Sequence, residues 1–98
     1  MVTLDDYIAI YAEAAQYITN YEESSEVTNA FVNREAITDA LERGEELTPV
    51  QREVLAKADA KLLAVRPTLA KRFPLIFEAR NDIPAVYWWW HLDRGIPA

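Results

Sequence analysis

Few side chains in this sequence are equipped for chemistry. His91 is the single histidine and cysteine is absent, which excludes disulfides, thiolate metal sites and a histidine-rich metal site. His91 can act as a base, but it has no serine, cysteine or metal-ligand partner at a motif spacing. A surface or helix-terminal histidine is the expectation. The carboxylate pairs Asp5-Asp6, Glu22-Glu23 and Glu45-Glu46 fall at expected helix ends or loops. Metal binding or acid–base work needs oxygens that converge, whereas these charges spread into water. There is no phosphate-cradling glycine loop, nucleotide fingerprint or nucleophile elbow. The sequence therefore predicts no catalytic residue, no cofactor, no metal and no enzymatic activity.

Two groups of residues suit binding instead. The first is the run Tyr87-Trp88-Trp89-Trp90-His91. Each indole brings a large apolar area and one N–H donor, and three consecutive indoles cannot share one face of a regular element. Projected at ~100° per residue on a last helix, Ala85, Trp88, Trp89 and Leu92 form the expected core face, which leaves Trp90 outside it. Trp90 can then lie under Arg94, four residues on, as a cation–π pair. Tryptophan, tyrosine and arginine dominate binding hot spots, so Tyr87, Trp90 and Arg94 are the candidate partner interface. The partner is expected to be a protein, with self-association into a homodimer as the simplest case. Absorption of all three indoles by the core is the competing reading.

The second group is the loose basic run Arg66, Lys71, Arg72 and Arg80. A solvated face explains it; as phosphate contacts, the four cations would instead make the chain a small nucleic-acid-binding regulator with strongly salt-dependent affinity. A third possibility, a small-molecule site, needs Trp88, His91 and Tyr11 to approach one another around a pocket. The net charge of -6 divides unevenly, because residues 1 to 47 carry eleven acids against two cations (-9) and the remainder eight cations against five acids (+3). The two halves are expected to attract each other, within one chain or between subunits.

The elements that position these groups are helical. Apolar residues recur at three- and four-residue steps, glycine occurs twice, and no repeat or low-complexity run breaks the chain. An all-α fold follows, a compact bundle of four to five short helices in a single domain over residues 1–98. A chain of this length can bury roughly 60 to 70% of its unfolded surface. The N-terminal residues lack the basic and apolar regions of a secretory signal, and no uninterrupted apolar stretch is long enough to span a bilayer, so a cytoplasmic protein with no membrane partner is expected.

Thr3 and Asp6 form a capping-box variant that opens a first helix, whose stripe Leu4, Tyr7, Ile8, Tyr11, Ala14, Ala15 and Ile18 is widened by Ile10, Tyr17 and Tyr21. A stripe that wide predicts contact with two other helices. Val27, Ala30, Phe31, Arg34, Ile37 and Leu41 mark a second helix, ended by Gly44 in a left-handed conformation. Thr48-Pro49-Val50-Gln51 opens a third, expected to run to about Val65 on Val50, Val54, Ala58 and Leu62. Pro67 predicts a break at Arg66, followed by a short helix over 67–80 that Pro74 divides near Phe73. A last helix is expected from about Ile83 to Arg94, opened by Asp82 and Pro84 and closed by Gly95.

The string Leu47-Thr48-Pro49-Val50-Gln51-Arg52-Glu53-Val54-Leu55 resembles the opening helix of the helix-turn-helix domains of two-component transcription regulators. The resemblance covers nine residues. That family continues with a glycine-containing turn and a recognition helix, whereas here Ala56 to Ala64 runs on without glycine. It is read as shared capping chemistry.

Overall fold

The computed structural model describes residues 2–78 and 83–94, with the Arg94 side chain outside that description. Its helices are α1 (Leu4–Tyr17), α2 (Ser24–Glu42), α3 (Pro49–Arg72) and α4 (Pro74–Phe77). A 3-10 turn at Ile18–Asn20 ends α1, and a 3-10 segment at Trp88–Arg94 closes the described chain. No strand occurs among the described residues. The radius of gyration, 13.0 Å, is that of a compactly folded chain of about 100 residues.

The starts of α1 and α3 obey the capping chemistry of the sequence. Thr3 Oγ1 accepts the Asp6 amide and the Asp6 carboxylate accepts the Thr3 amide, which satisfies two donors that a helix leaves unpaired at its start. Thr48 and Gln51 repeat the arrangement at the head of α3, with Pro49 in the first turn. Gly44 follows α2 with φ +96°, a conformation that a side chain strains against.

Burial sorts each helix by face. Ile8, Tyr11, Ala15 and Ile18 are buried from the N-terminal stretch, Val27, Ala30, Phe31, Ile37 and Ala40 from α2, and Leu55, Ala58, Leu62 and Leu69 from α3. The helix α1 packs against both α2 and α3, as its wide stripe predicts. Ile10 and Tyr17, expected to widen that stripe, lie exposed instead. The third layer comes from α4 and the C-terminal 3-10 segment, both packed on α3.

Two expectations about proline divide. Pro74 does end α3, since Phe73 leaves helical geometry at φ -130° and ψ 56°. Pro67 does not break it; α3 continues through that position to Arg72. Pro67 sits on the solvent side, where water can serve the carbonyl that loses its helical donor, while Leu62, Leu69 and Phe73 hold the opposite side in the core. Packing on one face outweighs the one hydrogen bond lost on the other.

The expected last helix is also corrected. Residues 85–86 form a turn, 3-10 geometry begins only at Trp88, and His91 interrupts it with φ -122° and ψ 27°. The amides of Tyr87 and Trp90 donate three residues back, to Pro84 and Tyr87. At three residues per turn, successive side chains diverge by about 120°, a geometry that sends three adjacent indoles in three directions. The opening role assigned to Asp82 and the closing role of Gly95 lie outside the described residues.

Candidate functional site

Among the described residues one strongly polar cluster lies in the interior, and arginine organises it. Position 34 falls in the apolar register of α2, one turn from Phe31 and Ile37, so the helix that forms on those residues must carry a guanidinium inward. Arg34 is only 8% exposed. Its Nε donates to Asp59 Oδ1 at 2.9 Å and its second terminal nitrogen to Oδ2 at 3.1 Å, a forked ion pair between α2 and α3. The remaining terminal nitrogen donates to Thr38 Oγ1 at 2.6 Å. The Tyr11 hydroxyl, from α1, donates to Asp59 Oδ1 at 2.7 Å. Three helices therefore meet on one carboxylate.

Aromatic rings enclose the guanidinium. Its carbon stands 4.8 Å from the Trp89 ring centroid and 5.9 Å from those of Trp88 and Tyr11. A cation over π faces is favourable, most of all where water is displaced. Burial and the neighbouring Asp59 carboxylate push the Tyr11 phenol well above its ordinary range, so it remains a hydrogen-bond donor. Arg34, Asp59 and the Tyr11 hydroxyl are thus bound to one another and to Thr38. The pocket imagined around Trp88, His91 and Tyr11 is thus filled: Tyr11 and Trp88 both face Arg34, while His91 donates Nε2–H to the Ile83 carbonyl at 2.9 Å. In that tautomer the histidine acts as a strut between the 83–87 turn and the 3-10 segment.

The candidate interface residues take different places. Trp90, expected outside the core, is 8% exposed and meets Phe31 edge to face at a centroid distance of 5.2 Å. The α-helical projection misplaced it because the backbone there is 3-10. Trp89 is fully buried, its Nε1–H lacks an acceptor among the described residues, and Trp88 is half-buried against it. Ala85, assigned to the core face, is exposed. Tyr87 is half-buried, packs edge to face on Trp89, and donates its hydroxyl to Asp39 Oδ1 at 2.8 Å. That hydrogen bond, together with burial and the acids Asp39, Glu42 and Glu35, pushes the Tyr87 phenol up to about 12. The Arg94 side chain lies outside the described residues, and with it the expected pair with Trp90.

The basic run does not gather. Arg66, Lys71 and Arg72 share α3 and point in directions more than about 90° apart around it. Arg72 is committed to the fold, donating to the Thr19 carbonyl and, at 2.7 Å, to the Tyr21 carbonyl while stacking on Phe73. Arg80 lies outside the described residues. The buried ion pair takes its cation, Arg34, from the acidic half and its anion, Asp59, from the other, the reverse of the overall charge division.

Sequence reasoning passed over a different surface. Along the outer flank of α1, Ile10 and Tyr17 are 45% and 47% exposed and line one shallow depression with Glu13, Ala14, Tyr21, Glu26 and Asn29. Burial and the carboxylates of Glu26 and Glu13 raise the Tyr21 phenol above its usual value. Other exposed large apolar residues, such as Val50 at 71%, do not share this depression. The signal was present in the apolar stripe of α1, half a circumference wide, which exceeds what two neighbours bury.

Among the described residues no three of His, Asp or Glu gather as a metal site, and no helix is long and apolar enough to cross a membrane. The chain matches no known family model, curated protein or solved structure.

Proposed function

We propose that this chain is a cytoplasmic, non-enzymatic protein-interaction module whose contact surface is the outer flank of α1. One observation carries the reading: Ile10 and Tyr17 stand exposed two turns apart on one face of α1 and line a single depression with Ala14 and Tyr21, framed by Glu13 and Glu26. Exposed apolar side chains that share one charged-rimmed depression are the makings of a protein contact, whereas single ones are ordinary. The C-terminal aromatic run is the weaker choice, because Trp89 and Trp90 are spent on the core and the Tyr87 hydroxyl on Asp39. Nothing favours the nucleic-acid reading, since Arg72 serves backbone carbonyls and its helix neighbours diverge.

The test is photo-crosslinking in the source cells with benzoylphenylalanine in place of Tyr17, compared with the same residue in place of the more exposed Val50. A discrete adduct from position 17 and not from position 50 supports the reading. Equal labelling from both positions, or none from 17, refutes it.

A further inference from the structure

The depression on the outer flank of α1 carries a chemistry that selects among partners. It is a concavity of about 490 Å³ between α1 and the start of α2, within the range of about 300 to 1,000 Å³ over which clefts take ligands. Ile10 gives it an apolar wall, Tyr17 and Tyr21 phenol rings, and Asn29 an amide. Glu13 comes from α1 and Glu26 from the first turn of α2, so carboxylates from two helices border one hollow.

These polar groups are unspent. Residues 1 to 47 hold two cations, Arg34 and Arg43, and both are engaged elsewhere, with Asp59 and with Glu45. Arg72, which reaches the Tyr21 carbonyl, also donates to Thr19 and stacks on Phe73, and it does not line the depression. Among the described residues no ion pair engages Glu13 or Glu26, and no hydrogen bond engages the hydroxyls of Tyr17 and Tyr21 or the side-chain amide of Asn29. Burial raises the Tyr21 phenol above its usual value and the charges of Glu26 and Glu13 raise it further, which marks the field in the hollow as negative.

The interior of the same chain shows what such a set of groups holds. Around Arg34 it gathers one carboxylate, one hydroxyl and the rings of Trp88, Trp89 and Tyr11, and the occupant is a guanidinium. The flank offers rings, carboxylates and an amide oxygen with no cation of its own. A guanidinium can use all of them, because its planar face lies on an aromatic ring while its edge donates to two acceptors, whereas an ammonium is a strongly hydrated point charge. We propose that the flank docks an arginine-bearing segment of another protein, the arginine side chain entering the depression between Glu13 and Glu26 while apolar neighbours in the segment cover Ile10 and Tyr17. This rests on the reading of the α1 flank as a protein-contact surface and gives the chemical class of its partner. Exposed ion pairs are weak one at a time, so the selectivity comes from two carboxylates and two rings converging on one side chain, and arginine against tyrosine is a combination that recurs at binding hot spots.

Selection of random short peptides, displayed on phage, against the purified full chain provides the test. Four baits are compared: the parent, Glu13→Gln with Glu26→Gln, Tyr17→Ser, and Glu42→Gln with Glu46→Gln, a control that removes the same charge around the far end of α2. Every substituted side chain is exposed, and circular dichroism checks that each variant folds. The parent and the control should enrich peptides that share an arginine beside apolar residues, and the other two baits should not. In the most enriched peptide, citrulline in place of that arginine keeps the shape and loses the charge, and it should bind the parent at least about tenfold more weakly. Lysine there should also bind more weakly than arginine, and equal binding would overturn the guanidinium assignment. Enrichment lost equally in the control would mean diffuse attraction to an acidic chain and would overturn the docking site. Peptides that need Tyr17 but carry no arginine, or that tolerate citrulline, remove the arginine anchor and leave the contact surface standing. Peptides captured equally by the parent and Tyr17→Ser, or no enrichment at all, overturn the inference, and the contact surface then stands or falls on the crosslink from position 17.

Discussion

The C-terminal indole run and the outer flank of α1 use aromatic residues in opposite ways. In the run, adjacent rings are turned apart by 3-10 geometry, and the core takes Trp89 completely and most of Trp90. On α1, Tyr17 and Ile10 belong to a regular helix whose stripe is wider than its neighbours can cover, so they remain in water. The conspicuous aromatic cluster is thus structural, and the inconspicuous one is the exposed surface. Local aromatic density says how much area must be covered; the width of a stripe against the number of its neighbours says what stays uncovered.

The largest effects should come from the indole side. Trp89→Ala removes a fully buried ring and should cost about 3 to 5 kcal/mol, read as a lower urea midpoint; a loss under about 1 kcal/mol would mean the run is not core. Arg34→Met comes next, at about 3 kcal/mol, because it strands the Asp59 carboxylate and uncovers the faces of Trp88 and Trp89. Adding Asp59→Asn should recover part of that loss, and a strictly additive double variant would show that the ion pair does not couple α2 to α3. Tyr11→Phe deletes one hydrogen bond to a carboxylate that keeps its arginine, and about 1 to 2 kcal/mol is expected.

Alkali sharpens the contrast between interior and margin. The Tyr11 and Tyr87 phenols are both harder to ionise in the folded chain than in the unfolded one, so the unfolded chain releases their protons first as pH rises. Their contribution is intact below the ordinary phenol value of about 10 and declines above it, with that of Tyr87 lost as pH passes about 12. Urea midpoints followed upward from pH 9 should fall across that window, and Tyr87→Phe should fall less steeply. Identical slopes for the two proteins would remove the Tyr87–Asp39 hydrogen bond from the account. The smallest effect belongs to the α1 flank, where Tyr17→Ser should move stability by no more than about 0.5 kcal/mol while abolishing its contacts. A large stability loss there would make Tyr17 a core residue and erase the comparison.

Much of the fold was legible because local rules decide it. Thr3 with Asp6, Thr48 with Gln51, and Gly44 act within a few residues of themselves, and their helix ends fall where sequence places them. Pro67 escaped because its cost is local and its compensation, through Leu62, Leu69 and Phe73, is tertiary. The 88–94 segment escaped because 3-10 and α-helical spacing differ little over a single turn. The polar cluster was half visible. An arginine in an apolar register announces a buried charge, but Asp59, 25 residues on and in a different helix, could not be matched to it by spacing. The α1 flank was visible only as surplus width, since which residues a neighbour leaves bare depends on how that neighbour crosses.

Arg72 does more than satisfy stray carbonyls. Its two hydrogen bonds tie the end of α3 to residues 53 and 51 positions earlier, at the turn between α1 and α2. Closing a loop of that size carries a substantial entropic cost that grows only slowly with further length. A chain without cysteine has no covalent means to lock such a loop, so the guanidinium acts as a reversible cross-link, which forms only once α1 and α3 have already met. It should therefore engage late in folding and release early in unfolding, leaving the unfolded ensemble as loose as that of any uncrosslinked chain.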